Sequence, residues 1–120
     1  IGRCGGPLVI VAAMEKYEND ANLQVMGCRA LGFLAGPSEE NRTLIGKVGG
    51  IEAVLVSMRS FSEHVLLQHV GCAALRNFAT NDVDNAKKIA SLDGISTIVL
   101  ALKSHTGSEK LQDSACGALS

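Results

Sequence analysis

A repeat of 44 residues runs through the chain without a gap, and it limits what the chain can fold into more than any other feature. Cys28, Cys72 and Cys116 stand at that spacing, as do Leu31, Leu75 and Leu119, and Ala30, Ala74 and Ala118. Gln24, Gln68 and Gln112 obey it, with Leu23, Leu67 and Leu111 one residue before them. Gly6, Gly50 and Gly94 follow the same step, and so do the pairs Met14 with Met58 and Asn41 with Asn85. A fixed period of this size marks stacked supersecondary units, each unable to bury its apolar face without its neighbours.

Each unit reads as three helical stretches. A short first helix is predicted over Ser38 to Val48 and over Asp82 to Leu92, with Ser38 and Asp82 as N-caps. Glycine steps follow at Gly49-Gly50 and at Asp93-Gly94, where the backbone must turn sharply or let another segment come close. The second helix carries an apolar stripe at helical spacing: Ile51, Val54, Leu55 and Met58, then Ile95, Ile98, Val99 and Leu102. Its first copy is Pro7, Ile10, Val11 and Met14, with proline suited to a helix start. The third helix has the stripe Leu67, Val70, Gly71, Ala74, Leu75 and Phe78, repeated earlier as Leu23, Met26, Gly27, Ala30, Leu31 and Leu34. Glycine inside a helix costs about 1 kcal/mol against alanine. The recurrence of small residues at Gly27, Gly71 and Ala115 therefore predicts close approach by a neighbouring helix.

Three helices per unit, a glycine between the first and second, and the run Leu75-Arg76-Asn77-Phe78-Ala79 together resemble the armadillo repeat. The resemblance covers the whole chain as about two and a half units, at residues 1–37, 38–81 and 82–120. It implies an all-α fold, a right-handed α-solenoid whose third helices line a concave groove. It also implies that asparagines late in those helices grip the backbone of an extended peptide. Asn77 matches that position, whereas the first unit has Phe33 there and the third ends one residue earlier, at Ser120. The tryptophans with which importin-α sandwiches basic side chains are missing: Arg29, Ala73 and Gly117 stand at those places.

Ile1-Gly2-Arg3-Cys4 aligns with Ile45-Gly46-Lys47-Val48, which suggests a segment of a longer array lacking capping units at its ends. Apolar faces left open at such ends favour end-to-end self-association.

Charge and composition exclude several functions. Eleven basic and twelve acidic residues leave a formal charge of −1, with no basic stripe or stacking aromatics, so no nucleic-acid partner is expected. No apolar run is long enough to span a bilayer, so no membrane insertion is expected, and no leader resembling a signal peptide is seen. In the stacking that the resemblance implies, successive repeats hold Cys28, Cys72 and Cys116 too far apart to pair, and the CxxC spacing of zinc sites is absent. They read as small core hydrophobes, and unpaired thiols favour a reducing, intracellular and cytoplasmic setting. His64, His69 and His105 form no metal-binding helix motif, and His105 falls where Tyr17 and Phe61 stand. Asn41-Arg42-Thr43 matches a glycosylation sequon, but the repeat of Asn41 as Asn85 without the threonine points to a structural role. With no phosphate loop and no nucleophile elbow, no catalytic residue, cofactor or metal is expected, and the chain does not read as an enzyme.

The third-helix face opposite the apolar stripe remains. It presents Val25, Arg29, Gly32, Phe33 and Gly36, then His69, Ala73, Arg76, Asn77 and Thr80, then Asp113 and Gly117. Arg29, Phe33, His69, Arg76, Asn77 and Asp113 are the candidate partner-binding residues. In this reading Asn77 bonds partner backbone, Arg29 and Arg76 meet acidic groups, and Phe33 either anchors the partner or packs on the next third helix. The function expected is that of a scaffold binding a protein or peptide partner. The alternatives are a regulatory or scaffolding segment of a larger kinase or ubiquitin ligase, and an architectural spacer.

Overall fold

Residues 5–119 are described by the computed structural model, and among them the chain forms eight helices and no strand. They are α1 (Gly5–Lys16), α2 (Ala21–Ala35), α3 (Glu39–Lys47), α4 (Gly50–Ser60), α5 (Val65–Ala79), α6 (Val83–Ser91), α7 (Gly94–Ser104) and α8 (Glu109–Leu119). Short, medium and long helices of 9, 11 and 15 residues follow one another as α3, α4 and α5; α6, α7 and α8 are their repeat equivalents, with 11 residues in α8, and α1 and α2 match the medium and long members. The aligned segment Ile1-Gly2-Arg3-Cys4 and the position of Ser120 lie outside the described residues.

The short helices begin where their capping residues dictate. Ser38 Oγ accepts the Asn41 amide at 3.1 Å, and Asp82 Oδ1 accepts the Asn85 amide at 3.0 Å. Each cap satisfies one of the N–H groups that a helix start leaves without an internal partner. The turn into α4 places Gly49 at φ +91°, a left-handed conformation that costs glycine little. Gly50, next to it, lies so close to Ile45 that an added Cβ would meet the Ile45 carbonyl oxygen at 3.0 Å.

Polar side chains fasten each medium helix to the long one that follows. Gln24 donates to the carbonyls of Met14 and Tyr17, Gln68 to those of Met58 and Phe61, and Gln112 to those of Leu102 and His105, all at 2.9–3.1 Å. One glutamine per repeat thus satisfies carbonyls that the end of a helix leaves exposed. Asn41 and Asn85 do the same for the long helix before them, donating to Leu34 O and Phe78 O. Asn85 adds a bond to Arg42 O that links α6 to α3.

Long helices stack side by side: the most extensive contacts join α2 to α5 and α5 to α8. The core runs through this layer, with Leu31, Leu67, Leu75, Phe78 and Leu111 fully buried against Ile51, Val54, Leu55, Met58 and Ile98. A Cβ on Gly27 would meet Met14 at 2.6 Å, and one on Gly71 would meet Met58 at 2.7 Å. In the third unit leucine stands at the methionine position, Leu102, and alanine at the glycine position, Ala115. The close approach expected at the glycines is real, and its cause is a methionine side chain laid across the helix.

Three residues assigned to the apolar stripes are exposed. Met26 is 68 % exposed and Ile95 45 %, whereas their repeat partners Val70 and Ile51 are buried. Cys116 is exposed while Cys28 and Cys72 are buried, so only two of the three aligned cysteines are core residues. Burial in a stack depends on the adjoining unit, and no helix among the described residues covers these three positions.

Candidate functional site

Between α2 and α5 lies an open cleft of about 520 Å³, and it gathers four of the six candidate residues: Arg29, Phe33, His69 and Asn77. Its floor exists because the helices approach over small residues. A Cβ on Gly32 would lie 3.3 Å from the Ala74 Cα, so glycine lets the two backbones nearly touch. Asn77 fixes this approach by donating from Nδ2 to the Gly32 carbonyl at 3.0 Å.

At the far end of the cleft, Arg42 holds the terminus of α2. Its Nη1 donates to Ala35 O at 2.9 Å and to Gly36 O at 3.1 Å while the side chain is buried. A cation at the carbonyl end of a helix is placed where the helix dipole favours it.

The walls carry the chemistry. Phe33 is 87 % exposed, and no helix among the described residues packs over it. Arg29, one turn earlier on α2, is also exposed. His69 is half-buried and its Nδ1 lies 2.8 Å from Ser114 Oγ, tying α5 to α8 while the ring borders the cleft. Val25, placed on this face from the sequence, is instead buried between the helices at 6 % exposure.

Arg76 and Asp113 are outside the cleft. The Arg76 side chain crosses to α8, where a Cβ on Gly117 would meet its Cδ at 2.9 Å. Asp113 is exposed on α8 itself.

Cys28 lines the back of the cleft, but burial pushes its thiol up to about 12. Cys72 is pushed to about 12 for the same reason. A thiol held neutral is a poor nucleophile. The cleft presents one guanidinium, one apolar ring, one imidazole and one amide.

Smaller clefts open between the medium helices, about 290 Å³ between α1 and α4 and about 320 Å³ between α4 and α7. They are repeat equivalents with different contents. Arg59 spans the second, donating to Leu92 O and Thr97 Oγ1. Position 15, one repeat earlier, is glutamate, and the first cleft holds Glu15, Glu18 and Glu52.

Identity matching along the repeat passes over one set of residues. Asp20, His64 and Ser108 share the 44-residue spacing and all cap long helices, accepting the amides of Leu23, Leu67 and Leu111. Their shared ability to accept a hydrogen bond was the available signal.

No family model matches the chain, and no curated protein or solved structure matches it. Among the described residues no helix is long and apolar enough to cross a membrane.

Proposed function

We propose that this chain is an armadillo-type protein-interaction segment, a right-handed solenoid that holds an extended peptide of a protein partner in the cleft between α2 and α5. The observation that carries the reading is the exposure of Phe33, an aromatic ring left in water at the wall of a cleft whose floor is glycine and alanine. Aromatic and arginine side chains in that setting are the groups from which interface hot spots are built. The peptide would set an apolar side chain against Phe33 and an acidic one against Arg29, with the Asn77 side-chain oxygen Oδ1 accepting a backbone N–H. Arg76 and Asp113 act on the neighbouring part of the same surface. The protonated thiols and the lack of a motif for nucleophilic or metal chemistry support binding over catalysis.

Selection from a peptide library tests this, comparing the wild-type chain with an Arg29→Glu, Phe33→Ser variant. Both residues are exposed, so the variant keeps the fold. Sequences enriched on the wild type and lost on the variant support the cleft, and they define the partner motif. Enrichment indifferent to both changes removes it.

A further inference from the structure

The clefts between α1 and α4 and between α4 and α7 have both their walls among the described helices, so each stands open with its neighbours in place. They are one cleft built twice. Glu15, Glu18, Glu52 and Val56 in the first occupy the repeat positions of Arg59, Ser62, Ser96 and Leu100 in the second. The later helix of each pair raises an apolar side chain into water, Val56 at 50 % exposure and Leu100 at 56 %. Neither residue belongs to the α2–α5 cleft.

Their charged contents differ. The first gathers three carboxylates, and among the described residues one cation answers them: Lys88 Nζ, 3.2 Å from Glu52 Oε2. Glu52 Oε1 is shut away from solvent and accepts no hydrogen bond. Glu15 and Glu18 are exposed, and Lys16 beside them lies over the Tyr17 ring. The second cleft has one carboxylate, Asp93, with the Arg59 guanidinium and the hydroxyls of Ser62 and Ser96. Arg59 donates to Leu92 O and Thr97 Oγ1 and has further N–H groups to offer. One cleft thus accepts where its neighbour donates.

We propose that an amphipathic helix of a partner protein lies across α1, α4 and α7, with a lysine or arginine in the first cleft, a carboxylate at Arg59, and leucine-type side chains on Val56 and Leu100. Packed helices such as α1, α4 and α7 stand about 8–10 Å apart, so the two clefts are offset by about that distance. Two turns of helix advance about 10.5 Å and return to the same face, with residues one turn along lying between. In an extended strand, residues three apart span about the same distance but point to opposite sides. The spacing therefore selects a helix, and the order of charge gives it one direction.

Fluorescence anisotropy of a lactam-braced helical peptide with the full chain tests it. The peptide carries a lysine, a leucine one turn on, a glutamate after two turns and a leucine after three. A second peptide has the lysine and glutamate exchanged. The first binds, and the second binds about tenfold more weakly or worse. Glu15→Lys, Glu18→Lys weakens the first peptide about tenfold or more, and Leu100→Ser weakens it with every charge left in place. All three positions are exposed, and circular dichroism verifies that the variants stay helical. Arg29→Glu, Phe33→Ser leaves its affinity unchanged, which separates this face from the α2–α5 cleft. No binding by the first peptide, equal affinity for the two, indifference to the glutamate changes, or a loss in the Arg29→Glu, Phe33→Ser variant overturns the proposal.

Discussion

Asn77 and the carbonyl of Gly32 are joined at 3.0 Å across the floor of the α2–α5 cleft, so the residue that marks the repeat signature is also a brace between two helices. Replacing Asn77 by alanine removes that bond from a half-buried site and is expected to cost about 1 kcal/mol. Chemical denaturation measures it. The consequence for binding studies is practical: loss of affinity in this variant mixes a weaker fold with a lost contact, and Arg29 and Phe33 are cleaner probes.

Gln68 is expected to matter more. Its amide donates at 2.9 Å to both Met58 O and Phe61 O and is almost wholly buried. Gln68→Ala removes the buried bond to Met58 O and the part-buried one to Phe61 O, which keeps the His64 amide, an expected loss of about 2 kcal/mol. Gln112→Ala, at a half-buried position, is expected to lose less by the same denaturation measurement.

Gly71 and Met58 form a coupled pair. Gly71→Ala drives a Cβ into the Met58 side chain and is expected to destabilise the fold by about 1–3 kcal/mol. Adding Met58→Leu copies the Leu102 and Ala115 pairing of the next unit and should recover part of that loss. A double-mutant cycle reads the coupling directly, and strict additivity would contradict it.

These elements differ in how plainly the sequence announces them. The 44-residue period, the Ser38 and Asp82 caps and the close packing at Gly27 and Gly71 are local or periodic demands, and each is visible in residue type and spacing. The role of Gln24, Gln68 and Gln112 is not, because their acceptors are backbone carbonyls that carry no residue identity. Exposure at Met26, Ile95 and Cys116 is likewise invisible in the pattern: it depends on whether another helix lies alongside. For the cleft, the repeat alignment brought Arg29, Phe33, His69 and Asn77 to one face, but it treated every unit alike. It therefore included Arg76, whose long side chain turns to α8, and Asp113, which lies one helix further along.

Glu15 and Arg59 occupy one repeat position with opposite charge. Glu15→Arg places a guanidinium where Arg59 spans the equivalent cleft, beside Glu18 and Glu52 and the Val48 carbonyl. An increase in stability of about 0.5–1 kcal/mol is expected, measured as a higher denaturation midpoint at low salt and reduced by added salt.

Alkaline conditions should weaken the fold through Cys28 and Cys72. Their folded thiols sit at about 12 against an ordinary value of 9.0, so the unfolded chain loses these protons first. The stability due to the neutral buried thiols is complete below about pH 9 and falls as pH rises from there toward 12. Denaturation midpoints of the Cys28→Ala, Cys72→Ala chain should show a shallower decline over that interval than those of the parent.

The most direct measurement of the central claim is calorimetric titration of a library-selected peptide into the wild-type chain, Phe33→Ala, and the control Leu100→Ser, which alters an exposed apolar residue in the α4–α7 cleft. Binding by the α2–α5 cleft predicts an affinity loss of about tenfold or more for Phe33→Ala and none for the control. Equal affinity for wild type and Phe33→Ala, or a loss confined to Leu100→Ser, would contradict it.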